Sequence, residues 1–126
     1  MNNKHFELTN ETITVDKHTL HRIKATRDIP RQNVKKGDLG GFVESYDNLN
    51  DDAWVADNAC VYEDAKVFGD ARVCVRAKVY GSAHVYDFAR VYASTYIHGN
   101  AKVFGNARVS GYTQVYGYAR IYDFVF

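Results

Sequence analysis

From residue 43 onward the chain places one aliphatic side chain at every sixth position: Val43, Leu49, Val55, Val61, Val67, Val73, Val79, Val85, Val91, Ile97, Val103, Val109, Val115 and Ile121. Two residues ahead stands a small one, nearly always alanine: Ala53, Ala59, Ala65, Ala71, Ala77, Ala83, Ala89, Ala101, Ala107 and Ala119, with Thr95 and Thr113 in the same slot. A period of six is too long for a helical turn. A small-x-aliphatic triplet puts two side chains on one face of a short strand and x on the other. The x slot holds Lys66, Arg72, Lys78, His84, Arg90, Lys102, Arg108 and Arg120, which cannot all be interior, so Ala and Val point inward. Gly69, Gly81, Gly99, Gly105, Gly111 and Gly117 then mark corners, several followed by Asp, Asn or Ser, residues suited to turns. Each hexad is one short side of a coil, too small to bury its own apolar face. Stacking coils buries it, and the pattern predicts a parallel β-helix.

Ahead of the repeats, ELTNETITV and TLHRIKAT predict two strands forming a hairpin through Asp16–His18 and folded over the first coil. A solenoid needs such a cap, because its end rung has unpaired backbone groups and an open core. DNLNDDA at 47–53 is acidic but stays in register, as an early coil would. The division is a cap over residues 1–40 and a repeat region over 41–126, continuous as one domain.

Over residues 41–126 the chain resembles the hexapeptide-repeat, left-handed β-helix proteins, in which three hexads make one triangular coil of eighteen residues. That family commonly has Gly or a small residue directly after the aliphatic position. Here Tyr or Phe stands there and Gly comes one place later, as in VFGDAR, VYGSAH and VFGNAR. TLHRIKATRDIP (19–30) followed by VKKGDLGGFVES (34–45) is similar to the opening of a largely uncharacterised bacterial and prophage group, with a GDLGGF-like element before the repeats. The resemblance implies an all-β, single-stranded, left-handed solenoid of about four to five triangular coils with a small N-terminal β cap. It also implies a phage- or prophage-derived protein acting on a host protein, for instance as an inhibitor of host defence.

With coils of eighteen residues, outward side chains stack at roughly 4.8 Å into ladders. One face carries Lys66, His84, Lys102 and Arg120 beside Phe68, Tyr86, Phe104 and Tyr122. A second carries Arg72, Arg90 and Arg108 beside Cys74, Tyr92 and Ser110. The third has Lys78, Tyr96 and Gln114 beside Tyr62, Tyr80, His98 and Tyr116. One reading is a surface for an anionic partner, with flat rings for bases or nucleotides. The other is that ring ladders and cations stabilise an exposed β surface and discourage edge aggregation, with Asp70, Asp87 and Asp123 offsetting part of the charge. The second is preferred.

Composition adds little partner information. The 126 residues hold 16 Lys or Arg against 15 Asp or Glu, a net charge that selects no polyanion. Ten Tyr and seven Phe against a single Trp, Met and Pro suit a repetitive chain. MNNKHFELTNETITV has no apolar signal region and no apolar run approaches a membrane span, so the expectation is a cytoplasmic protein, in the host cell if phage-encoded. Cys60 and Cys74 lack a C-x-x-C spacing and read as free thiols in a reducing compartment.

Catalytic chemistry finds no foothold. The acyltransferases that share this scaffold use a catalytic His and a loop thrust from the coils, and no interruption occurs between Val43 and Ile121. The zinc carbonic anhydrases of the β-helix type need three His around one metal. Here only His84 and His98 lie in the coils, on different faces, and His5, His18 and His21 show no ligand spacing. Each His is expected at the surface. GDLGG at 37–41 lacks the Lys-Ser/Thr pair and following helix of a phosphate loop, and reads as a tight turn feeding the first coil.

The expected function is therefore a non-catalytic interaction module for a protein partner, without cofactor or metal. A nucleic-acid or nucleotide binder and a degenerate acyltransferase relative are the alternatives. The candidate surface is Arg72, Arg90 and Arg108 together with Lys66, His84, Lys102, Arg120, Phe68, Tyr86, Phe104 and Tyr122. The terminal RIYDFVF suggests self-association through Phe124, Val125 and Phe126, or a plug over the open core. A homo-oligomer is expected, a dimer through that end or a trimer through an aromatic face.

Overall fold

The structure, a computed structural model, describes residues 4–123. The Phe124, Val125 and Phe126 end lies outside them.

Among the described residues the fold is all-β, a parallel solenoid of about four turns preceded by a hairpin. Strands β1 (Phe6–Val15) and β2 (His18–Ala25) pair antiparallel. Their two-residue turn, Asp16 and Lys17, has positive φ at both positions (50° and 71°), the handedness that matches the twist of a hairpin. β2 then pairs antiparallel with β3 (Leu39–Val43), and β3 pairs parallel with β5 (Cys60–Val61). β3 is thus the strand where hairpin becomes solenoid.

The coils continue through β4 (Trp54–Val55), β6 (Lys66–Val67), β7 (Arg72–Val73), β8 (Lys78–Val79), β9 (His84–Val85), β10 (Arg90–Val91), β11 (Tyr96–Ile97), β12 (Lys102–Phe104), β13 (Arg108–Val109), β14 (Gln114–Val115) and β15 (Arg120–Tyr122). They form three faces: β4-β7-β10-β13, β6-β9-β12-β15, and β5-β8-β11-β14, the last extended by β3, β2 and β1 into seven strands. Each strand pairs with the one eighteen residues on, as Val91 with Val109 and Val61 with Val79. The cap therefore does not simply fold over the first coil. It prolongs one face edge to edge.

The repeat explains the corners. From Asp51 to Asp123 every sixth residue has positive φ. Glycine holds six of these positions, and Asp, Glu, Val75 (64°) or Ala93 hold the others. Acidic corners gain a bond that glycine cannot make. Asp51 Oδ2, Asp57 Oδ2, Glu63 Oε1 and Asp87 Oδ2 each accept the backbone N–H of the next coil's corner, at 2.9, 3.0, 2.9 and 3.0 Å.

Inside, the valines and alanines of the repeat form one continuous apolar column, fully buried at Val55, Val73, Val91 and Val109. At its N-terminal end Phe6, Ile23, Ile29, Val34 and Trp54 join the same column and close it. A second, outer cluster of Leu20, Phe42, Cys60 and Tyr62 lies between the hairpin and the outward side of the first coils. This is why Cys60 and Tyr62, outward by their place in the repeat, are buried.

The GDLGG segment has two different reasons for its glycines. Gly37 has φ of 94° in the turn entering β3. Gly40 and Gly41 are instead sites of close approach. A Cβ at Gly40 would lie 2.5 Å from the Val55 carbonyl oxygen and 2.8 Å from the Trp54 ring, and one at Gly41 2.5 Å from the Ala59 carbonyl oxygen.

Candidate functional site

The outer ladders follow from the pairing register. Lys66, His84, Lys102 and Arg120 align on the β6-β9-β12-β15 face, and Arg72, Arg90 and Arg108 on the β4-β7-β10-β13 face. Lys78, Tyr96 and Gln114 align on the third. Two ring columns accompany them. Phe68, Tyr86, Phe104 and Tyr122 stack with centroids 4.8, 5.2 and 5.3 Å apart and planes within 22° of parallel. Tyr62, Tyr80, His98 and Tyr116 do the same at 5.2, 4.8 and 5.5 Å.

Stacking changes what the rings can do. Each inner ring, such as Tyr86 or Phe104, has both π-faces covered by its neighbours, so what it turns outward is its rim. A nucleobase needs a free ring face. The inner rings therefore offer no flat platform for a base, whereas an end ring such as Tyr116 is stacked on one side by His98 and is exposed. The rim of an aromatic ring is the positive part of its quadrupole, so the ladder and the adjacent cations present the same sign.

The cations are not equivalent. Arg72 Nη1 donates to the Gln32 carbonyl oxygen at 3.0 Å and Arg90 Nη1 to the Asp70 carbonyl oxygen at 3.0 Å. These two guanidiniums serve the fold as well as the surface. Burial, together with repulsion from Arg72 and Arg108, pushes the Arg90 pKa down. Burial, then Lys102 and Lys66, lowers that of His84. Among the described residues every ion pair uses a cap cation: His18, Arg22, Arg27 or Arg31. Among the described residues the coil lysines and arginines approach no carboxylate within ion-pair distance. The charge of Asp70 favours the charged form of Arg90 and so offsets part of that ladder as expected, but among the described residues neither Asp70 nor Asp87 forms an ion pair with a coil cation. Asp70 lies 3.5 Å from Arg31, and Asp87 is turned to the Gly105 N–H at 3.0 Å.

The expectation that every histidine lies at the surface is corrected for His5 alone, the other four being partly exposed. His5 is buried, its Nε2 2.7 Å from the Ala53 carbonyl oxygen, and burial lowers its pKa. His98 sits inside a ring column, and its buried Nε2 has no hydrogen-bond partner among the described residues. His18 lines an open hollow with Glu44, Glu63, Asp64, Gly81 and Ser82. Its Nδ1 is 2.8 Å from Glu44 Oε2 and its Nε2 3.2 Å from Glu63 Oε2. With both ring nitrogens engaged by carboxylates, this arrangement fastens hairpin to coil and presents no free nitrogen as a general base. Sequence spacing could not reveal it, since His18 and Glu63 are 45 residues apart.

Among the described residues no group of His, Cys, Asp and Glu is arranged to hold a metal ion. No helix is long and apolar enough to cross a membrane. Cys60 and Cys74 are free thiols whose pKa values burial pushes up. No family model matches the chain, and no curated protein matches it significantly.

Proposed function

We propose that this protein is a non-catalytic, rigid binding module that engages another protein through the outer faces of its solenoid. The observation that carries this reading is the contrast between cap and coils. In the cap Arg22, Arg27 and Arg31 pair with carboxylates, whereas the coil ladders stack like charges in register and, among the described residues, form no ion pair. Stacked like charges on neighbouring strands destabilise a sheet, and a complementary partner surface would remove that cost. The resemblance of the GDLGGF opening to prophage-associated hexapeptide proteins extends the proposal to a host protein as target.

The test is affinity capture from a bacterial lysate, with and without nuclease, using the wild type beside Lys102→Glu/Arg108→Glu. Among the described residues these two side chains make no hydrogen bond or ion pair, so the exchange leaves Arg72 and Arg90 to their carbonyls. A stoichiometric protein that survives nuclease and is lost from the variant supports the reading. Material that disappears with nuclease would replace it with nucleic-acid binding.

A further inference from the structure

The aromatic ladder of the β6-β9-β12-β15 face and the arginine ladder of the next face meet at one corner. Along the chain Tyr86, Phe88 and Arg90 follow at alternate positions, taking ring ladder, corner and arginine ladder in turn. At the slot of Phe88 the neighbouring coils carry Asp70 and Asn106, the polar residues a turn favours. Phe88 is 52% exposed, belongs to neither apolar cluster and, among the described residues, stacks on no ring. About half of its surface is therefore open at the corner.

Charge is segregated along the solenoid. Residues 44–64 carry seven Asp or Glu and no Lys or Arg, while residues 65–123 carry eight Lys or Arg and three Asp or Glu. Among the described residues Lys102 and Arg108 form no hydrogen bond or ion pair, and the Asp87 carboxylate, still charged, is turned to the Gly105 N–H rather than to either cation. The ring rims of Tyr86 and Phe104 add positive potential beside them. An exposed apolar side chain set at a corner between an aromatic ladder and an arginine ladder has the composition of an interface hot spot.

We infer that the ridge of Phe88, Tyr86, Phe104, Lys102 and Arg108 is a docking surface, and that its occupant is an acidic protein segment carrying an apolar side chain. The inference rests on the protein-binding reading above and gives it a location and a partner chemistry. Carboxylates of the segment meet Lys102, Arg108 and the ring rims, and its apolar residue covers Phe88. A nucleic acid would satisfy the cations but find the faces of Tyr86 and Phe104 already covered by their stacked neighbours, which leaves Phe88 as the ridge's single ring for a base.

The test is fluorescence anisotropy with short labelled peptides: one alternating Glu with Leu and Phe, one alternating Glu with Ser, and a single-stranded DNA for comparison. The proteins are wild type, Phe88→Asn, Lys102→Glu/Arg108→Glu, and Lys78→Glu on the β8 face as control. Phe88→Asn copies the residue that the next coil carries in this slot, and unchanged melting temperatures check that all variants fold. The expected result is preference for the acidic–apolar peptide, weakened by salt and by about tenfold in both ridge variants but not in Lys78→Glu. Equal binding of the Glu–Ser peptide or DNA, no peptide binding, or indifference to Phe88→Asn overturns the inference. The same variants in the lysate capture separate the two levels. A nuclease-resistant partner retained by both ridge variants sinks this ridge and leaves protein binding standing, and no captured protein sinks both.

Discussion

His18 Nδ1 lies 2.8 Å from Glu44 Oε2, so the start of β2 is tied to the residue that follows the first solenoid strand. The hydrogen bond to Glu44 outweighs partial desolvation and, with the charges of Glu44 and Glu63, raises the His18 pKa. His5 goes the other way because it is buried. A raised folded pKa means that the contribution of His18 is complete below the unfolded value of about 6.5 and fades as pH rises through the folded one. A lowered folded pKa means that the contribution of His5 is present above that value and fades as pH falls. Stability is expected to peak near the ordinary histidine pKa. In urea melts across pH, His18→Gln should flatten the alkaline limb and leave the acid limb. An unchanged alkaline limb would assign it to another group.

Gly41→Ala is expected to destabilise the protein by about 3 kcal/mol, the upper part of the range for overpacking. Its Cβ would meet the Ala59 carbonyl oxygen at 2.5 Å, and that backbone is held by the Phe42 N–H at 2.9 Å. Gly37→Ala meets no neighbour, so its cost is only that of the left-handed backbone, about 1–2 kcal/mol. Urea midpoints that rank the two in the opposite order would refute the close-approach account.

Val75 is a β-branched residue at φ of 64°, a conformation that disfavours it by about 1–2 kcal/mol. Val75→Asn keeps the backbone N–H that donates to Asp57 and suits the left-handed corner. It should stabilise the protein by about 1 kcal/mol. A lower midpoint for the variant would show that the Val75 side chain has a compensating contact.

Asn48 is buried and serves four backbone groups. Its Oδ1 accepts from the N–H groups of Glu44 and Ser45 at 3.1 and 2.9 Å, and its Nδ2 donates to the Glu63 and Ala65 carbonyl oxygens at 3.1 and 2.9 Å. Asn48→Leu is nearly isosteric but leaves these groups unpaired, a loss of about 3 kcal/mol or more. Hydrogen exchange should localise the effect to residues 44–48 and their β6 neighbours. Uniformly unchanged exchange would contradict it.

Arg72→Glu and Arg108→Glu remove the same charge from one ladder, yet only Arg72 reaches the cap, at Gln32. Arg72→Glu is expected to cost about 1–2 kcal/mol, and Arg108→Glu close to nothing or a slight gain from relieved repulsion. Equal melting temperatures would show that the Gln32 contact carries no stability.

Much of this architecture was legible because one period governs it. The inward valines and alanines, the corner glycines and the membership of each outer ladder all follow from the hexad and an eighteen-residue coil, and the observed pairings match them. The corners at Val75 and Ala93 were less visible, since the residue types there do not advertise positive φ. The cap was legible only as two strands. Its attachment depends on His18, Arg22, Gln32 and Trp54, each of which acts on a residue far along the chain.

The candidate surface divides in the same way. Sequence by itself determined which residues are outward and stacked, because a repeat assigns every side chain to a face. The tertiary structure alone decided that the inner rings of each ladder cover one another's faces, that Arg72 and Arg90 are bound to carbonyls while Lys102 and Arg108 have no such bond among the described residues, and that Phe88 is left half-exposed. Periodicity specifies position. Ring orientation, hydrogen-bond commitment and exposure depend on contacts between neighbouring coils and the cap, and those are settled only when the coils are stacked.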